Sequence, residues 1–183
     1  MPVTTIEKAA LVVLDLQVAT AGLPSVPNPV ADIVARSTRL ADAFRARGLP
    51  VVWVTVGGGV SGRTQAPAQH GELPENWSEL LAELAADPAD HTLTKYAWGA
   101  FHDDRLDKLL SGLGVEQVVL TGVTTSFAVE STARAAFERD YHVVVVSDAI
   151  GDLDPDAHEN SLRRIFPNLG EVAETEEVLA KIS

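Results

Sequence analysis

The chain has 183 residues, 46% of them apolar and 22% charged, which suits one domain with a sizeable core. Its formal net charge of −12 repels nucleic acid and anionic membrane surfaces, and no run approaches the roughly 20 apolar residues of a membrane span. Cysteine is absent, which excludes disulfides, thiolate metal ligands and thiol nucleophiles together.

The start, Met1 to Lys8, lacks the basic and then apolar order of a signal peptide, so a cytoplasmic location is expected. Ala9–Leu14 is a continuous apolar run. A strand covered on both faces reads that way, and such strands belong to parallel sheets. Asp15 ends it, and residues 18–29, rich in Gly and Pro, read as a loop. A helix is predicted next, with Asn28 as N-cap and Pro29 at its first position. Val30, Ile33, Val34, Leu40, Ala41 and Phe44 share one face, and Gly48 is a natural stop.

Val51–Val56 is the second predicted strand. Gly57, Gly58 and Gly59 open a loop to about Glu75, and long loops in compact domains are often functional. A short helix is predicted over 77–86. Leu93, Thr94 and Lys95 read as a weak strand, followed by a helix over 103–110 and a strand over 115–121. Gly122 to Ser126 turns into a helix reaching about Arg139. A fifth strand covers 141–146 and ends at Ser147, Asp148 and Ala149. A helix over 155–166, a short strand near Glu171 and a last helix from Glu174 complete the chain. No repeat or linker interrupts residues 1–183, so one domain is expected. The alternation of strand and helix predicts an α/β fold, a doubly wound parallel sheet with helices on both faces.

Ligands of such sheets bind beyond the carboxyl ends of the strands. That rule points to Asp15, the glycines after Val56, Lys95, the turn from Gly122 to Ala128, and Asp148. A carboxylate at Asp15 is partly desolvated, which raises its pKa and suits proton transfer, although a loop hydrogen bond would also account for it. Lys95 at a second strand end can orient that carboxylate or bind an anion, and a solvated surface lysine is the plainer alternative. Backbone N–H groups at the turn offer an oxyanion or carboxylate site, while the hydroxyls of Thr124, Thr125 and Ser126 read first as helix caps. No histidine lies near them in sequence. The triple glycine matches neither nucleotide-binding pattern. His70, His91, His102, His142 and His158 lack metal-ligand spacing. His142 reads as a structural residue inside a strand, and His102 as a residue near the mouth. Trp98 and Phe101 serve equally as pocket wall or as core aromatics.

Three segments resemble the isochorismatase-like hydrolases, or cysteine hydrolase superfamily. They are Leu11-Val12-Val13-Leu14-Asp15-Leu16-Gln17, Thr94-Lys95-Tyr96-Ala97-Trp98-Gly99-Ala100-Phe101, and the run from Thr121 through Arg134. The resemblance spans nearly the whole chain. It implies a Rossmann-like, mostly parallel six-stranded sheet, a homodimer or higher homo-oligomer, Asp15 and Lys95 as catalytic residues, and a cis peptide at Val123-Thr124. It also implies a small-molecule substrate contacted by Gln17, Trp98, Phe101, Val123, Thr124, Thr125, Ser126 and Phe127.

Ala128 stands where amide-cleaving members carry their cysteine nucleophile. A methyl group cannot attack a carbonyl, so the thioester route is closed. Metal-binding members carry Asp-x-His where this chain has Gly57-Gly58-Gly59, so neither metal nor cofactor is implied. The resemblance is stronger to isochorismatases proper, which also lack the cysteine and cleave a vinyl ether by protonating its carbon. The expectation is therefore a hydrolase acting on a small anionic substrate through Asp15 and Lys95. A cysteine-to-alanine variant of an amidohydrolase, or a family member that binds without catalysis, are the alternatives.

Overall fold

The apolar runs become the strands of one sheet. The computed structural model describes residues 3–65 and 73–182. Its strands are β1 (Ala9–Leu14), β2 (Val51–Val56), β3 (His91–Lys95), β4 (Gln117–Val123), β5 (His142–Gly151) and β6 (Gly170–Ala173). They lie in the order β3-β2-β1-β4-β5-β6, and every neighbouring pair is parallel. Winding reverses between β1 and β4, so the switch point of this doubly wound sheet lies there.

The helices are α1 (Val30–Ala46), α2 (Arg105–Gly112), α3 (Glu130–Phe137), α4 (Pro155–Asn160) and α5 (Thr175–Leu179). Successive strand residues face opposite sides. In β1, Ala9, Leu11 and Val13 pack with the buried face of α1 and with Val178 of α5. Ala10, Val12 and Leu14 pack with Leu106 and Leu110 of α2 and with Ala133 and Ala136 of α3. Both faces of the strand are thus covered, which is why its sequence does not alternate. Each Val or Leu buried in this way contributes about 1.5–3 kcal/mol.

Several expectations need correction. Asn28 does not cap α1; its amide donates to the carbonyls of Ile150 at 2.8 Å and Ser147 at 3.3 Å, and Pro29 holds the cap position. No helix forms over 77–86, where only a 3-10 turn, Ala82–Leu84, is found. Leu80 instead bridges to Gln17, and the Leu81 N–H donates to the Leu16 carbonyl at 3.2 Å. Tertiary backbone pairing there overrides a weak helical pattern. The helix predicted over 155–166 stops as α4 at Asn160, continues as a wide turn, Ser161–Ile165, and ends in a 3-10 turn holding Pro167. His142 is the exposed first residue of β5, not an interior one.

β5 also runs five residues past Val146. Its register against β4 shifts between Leu120 and Gly122, after which Ile150 pairs with Gly122 and Gly151 with Val123. This irregular extension delivers Asp152 to the end of β4. The loop after Gly59 was expected to be functional; its residues 66–72 lie outside the described residues. No helix among the described residues is long and apolar enough to cross a membrane.

Candidate active site

The ends of β1, β3 and β4 converge at one edge of the sheet. At the switch point β4 runs beside β1, Gly122 opposite Leu14, so closely that a Cβ on Gly122 would lie 2.0 Å from the Leu14 carbonyl oxygen, and Gly122 has φ +117°. Only glycine fits both conditions. The next residue of the first strand segment, Asp15, holds φ +56°. That left-handed conformation is one aspartate tolerates better than most residues. The Asp15 N–H donates to the Val54 carbonyl at 2.8 Å, which anchors the backbone.

Lys95 reaches Asp15 past the end of β2. Its Nζ donates to Asp15 Oδ2 at 2.8 Å and to the Ala97 carbonyl at 3.0 Å. Lys95 is 3% exposed and Asp15 7%, so this is a buried pair and not a surface one. Asp15 Oδ1 accepts no hydrogen bond among the described residues. Burial pushes the Asp15 carboxyl up to about 6, against the opposing attraction and hydrogen bond of Lys95.

Gly57 makes room beside this pair. A Cβ there would lie 2.6 Å from Thr94 Cγ2 and 3.0 Å from the Tyr96 ring. Tyr96 and Trp98 are exposed, and the Trp98 ring contacts Phe127 with centroids 4.7 Å apart. This contact joins the segment after β3 to the turn after β4. Thr132 joins them again, since its Oγ1 accepts from Ala100 N at 3.0 Å and donates to the Ala128 carbonyl at 2.7 Å. Phe101 is in the core, between Tyr141 and the Arg139 guanidinium, and does not flank Trp98 at the surface.

The Val123-Thr124 peptide is cis. A wide turn, Thr125–Val129, leads into α3, and Ala128 is buried within it. Thr124 makes no side-chain cap. The cap comes from elsewhere: the Ser126 N–H donates to Asp152 Oδ2 at 2.6 Å. Asp152 is 1% exposed, and its Oδ1 also accepts from the N–H groups of Leu153 at 2.8 Å and Asp154 at 3.3 Å. Thr125 is fully buried, with its Oγ1 2.9 Å from Nδ1 of His158. Burial lowers the pKa of His158, opposed by the charges of Asp152 and Glu159. A histidine does meet a turn hydroxyl, therefore, but the hydroxyl faces the interior. The Ser126 amide, expected to face a ligand, already has an acceptor.

Gln17 is turned toward backbone. Its Oε1 accepts from Val56 N at 2.7 Å, and its Nε2 donates to the carbonyls of Val56 at 3.0 Å and Trp77 at 3.2 Å. Val123 is buried in the core. Asp148 is bound to Arg36 of α1 at 3.2 Å and to Thr175 of α5 at 2.8 Å. It ties helices together and is not part of the group around Asp15. His102 pairs with Asp103 at 3.1 Å. Among the described residues no cluster of three or more His, Asp or Glu side chains is arranged to hold a metal ion.

The isochorismatase domain family matches residues 9–177, which includes every side chain just placed. The chain belongs to the isochorismatase family. It is 35% identical to an uncharacterized family protein of Bacillus subtilis, YwoC, over 96% of this chain and 95% of that protein. It is 36% identical to another, YecD of Escherichia coli O157:H7, over 93% and 94%. A solved isochorismatase family protein from Burkholderia thailandensis superposes with a TM-score of 0.92 at 41% identity, covering 98% of both chains. This isochorismatase family member has no cysteine among its 183 residues. Sequence reasoning brought Asp15, Lys95 and the turn to one place, but it missed Asp152 and His158. Neither residue carries a motif, and both reach the turn only through the extension of β5.

Proposed function

We propose that this protein hydrolyses a small anionic substrate of the vinyl-ether type, with Asp15 as general acid and no covalent nucleophile. The observation that carries the reading is the state of Asp15. Its Oδ1 is buried without a donor among the described residues, and burial raises its pKa to about 6, so a protonated fraction persists toward neutral pH and the group can both give and take a proton there. Chain-wide absence of cysteine supports the same reading, because no thiol is present to receive or supply that proton.

The steps follow from these groups. The Asp15 O–H bond breaks as its proton forms a C–H bond at the terminal carbon of the enol ether, leaving an oxygen-stabilised cation. Water adds to the cation, and its proton returns to the Asp15 carboxylate. The resulting hemiketal loses its hydroxyl proton as the C=O forms and its other C–O bond breaks, and a proton is taken up by the departing oxygen, which releases a keto acid and an alcohol. Lys95 gives two of its hydrogens to Asp15 and Ala97, which leaves one for a substrate carboxylate. When Asp15 is neutral, the positive charge of Lys95 is uncompensated, and that favours an anionic substrate. Trp98 and Phe127 supply an aromatic surface at the same edge.

The test is incubation with isochorismate and measurement of pyruvate. Release is expected from the wild type and not from Asp15→Asn or Lys95→Met. No release by folded wild-type protein would remove this substrate.

A further inference from the structure

The turn that carries Ala128 has backbone hydrogen bonds of its own but no side-chain cap from its own residues. Thr124 offers no cap, and the hydroxyl of Thr125 points inward. Wide helical turns of this kind are rare and are frequent at functional sites. Besides Thr132 on the Ala128 carbonyl and Trp98 on Phe127, two side chains of one segment, 26 and 33 residues further along the chain, bond the turn's first residues.

We infer that Asp152 and His158 are positioning residues, which fix the turn after β4 against the Asp15–Lys95 pair through the Ser126 N–H and the Thr125 hydroxyl. The inference rests on reading Asp15 and Lys95 as the active site. Asp152 is suited to the task because a carboxylate satisfies the orphan donor at a helix start and complements the positive end of the helix. Its three backbone donors leave it a single position. His158 is 3% exposed, and its position one turn into α4 is set by Asp154, which accepts from Asp156 N at 2.8 Å as the cap of that helix. The two contacts hold adjacent residues, so they set the direction of the turn as well as its place. Neither side chain is aimed at a ligand.

The role has a chemical consequence. The negative charge of Asp152 lies on the Ser126 amide, so this amide is withdrawn from anion binding. An anionic substrate must rely on Lys95 and on the other end of the turn.

The variants Asp152→Asn, His158→Asn and His158→Leu test this. The first removes the charge, the second returns a polar atom near the place of Nδ1, and the third returns none. Amide hydrogen exchange and the 13C titration of the Asp15 carboxyl are measured alongside pyruvate release. In Asp152→Asn and His158→Leu, exchange at residues 125–128 should rise about tenfold or more while β1 and β2 are unchanged. The Asp15 midpoint should move toward the ordinary carboxylate range as water gains access. His158→Asn should restore both readouts toward wild type. If turnover is measurable, kcat should fall about tenfold to a hundredfold, as expected when a site is misplaced by about 1 Å.

Unchanged exchange at 125–128 in both loss variants would overturn the inference. So would a uniform rise across the whole sheet, or a His158→Asn variant no better than His158→Leu. If Asp152→Asn does not fold, the His158 pair decides alone. A wild type that releases no pyruvate counts against the proposed substrate, and the exchange and titration results still decide the positioning role.

Discussion

Two carboxylates, each paired with one cation, lie buried in this protein and behave in opposite ways. Asp90 accepts from Arg45 Nη2 at 2.6 Å and Nε at 3.1 Å, from Trp53 Nε1 at 2.7 Å and from Asp87 N at 2.9 Å. Burial raises its pKa, but the Arg45, Trp53 and Asp87 hydrogen bonds outweigh that and hold it below the usual carboxylate range. Among the described residues the Asp15 side chain accepts from Lys95 alone, at 2.8 Å, and burial wins, which lifts it to about 6. The number of donors decides between a carboxylate that is structural and one that is ready to exchange a proton. Asp90 braces the segment before β3 against Arg45 and Trp53. Asp15, at the switch point of the sheet, has one oxygen without a partner among the described residues.

Substitutions should separate the two. Asp15→Asn should lower turnover by about 10²–10⁴-fold, the usual contribution of a general acid. Asp90→Asn should leave turnover near wild type but cost about 2 kcal/mol in a denaturant titration, because the charge facing Arg45 and one of the two acceptor oxygens are lost. If the two variants exchanged these effects, the comparison would fail.

Gly122→Ala should destabilise by about 3 kcal/mol or more, since the new Cβ meets the Leu14 backbone at a positive φ. A melting temperature unchanged from wild type would show that β4 can move away from β1.

The pH dependences have opposite signs. The folded pKa of Asp15 exceeds its unfolded value of 3.8, so its contribution to stability is present at low pH and is lost as pH rises toward about 6. The whole effect is on the order of 3 kcal/mol. The folded pKa of Asp90 lies below its unfolded value, so its contribution is present above 3.8 and is lost as pH falls. Carboxyl 13C titration of both residues in one sample checks this. An Asp15 midpoint near 4 would contradict the account. The smallest effect belongs to Trp98→Ala, which should change stability by less than about 1 kcal/mol because the ring is exposed, and should act on KM if the substrate rests there.

Much of this was legible in the sequence, for reasons that can be named. The unbroken run Ala9–Leu14 encodes coverage on both faces, and Asp15 directly after it falls at a strand end by simple continuation. Lys95 followed in the same way from the end of β3. What escaped depends on geometry that has no period. The β5 extension includes the half-buried pair Ser147 and Asp148, which looks like a strand end, yet Ala149 and Ile150 return to the core. Asp152 gains its place only through that return. Gln17 was read as a substrate contact, but its carboxamide matches the backbone at the end of β2 so well that both of its ends bond there. The hydroxyls of Thr124, Thr125 and Ser126 had the composition of a cap, while the actual cap arrives from Asp152.

The central claim is that a protonated Asp15 does the chemistry. Initial rates of pyruvate release from isochorismate, measured from about pH 5 to about pH 8, test it most directly. The account predicts a rate that falls about tenfold per unit above pH 6 and is lost in Asp15→Asn. A rate independent of pH across that range, or an Asp15→Asn variant as fast as wild type, would contradict it.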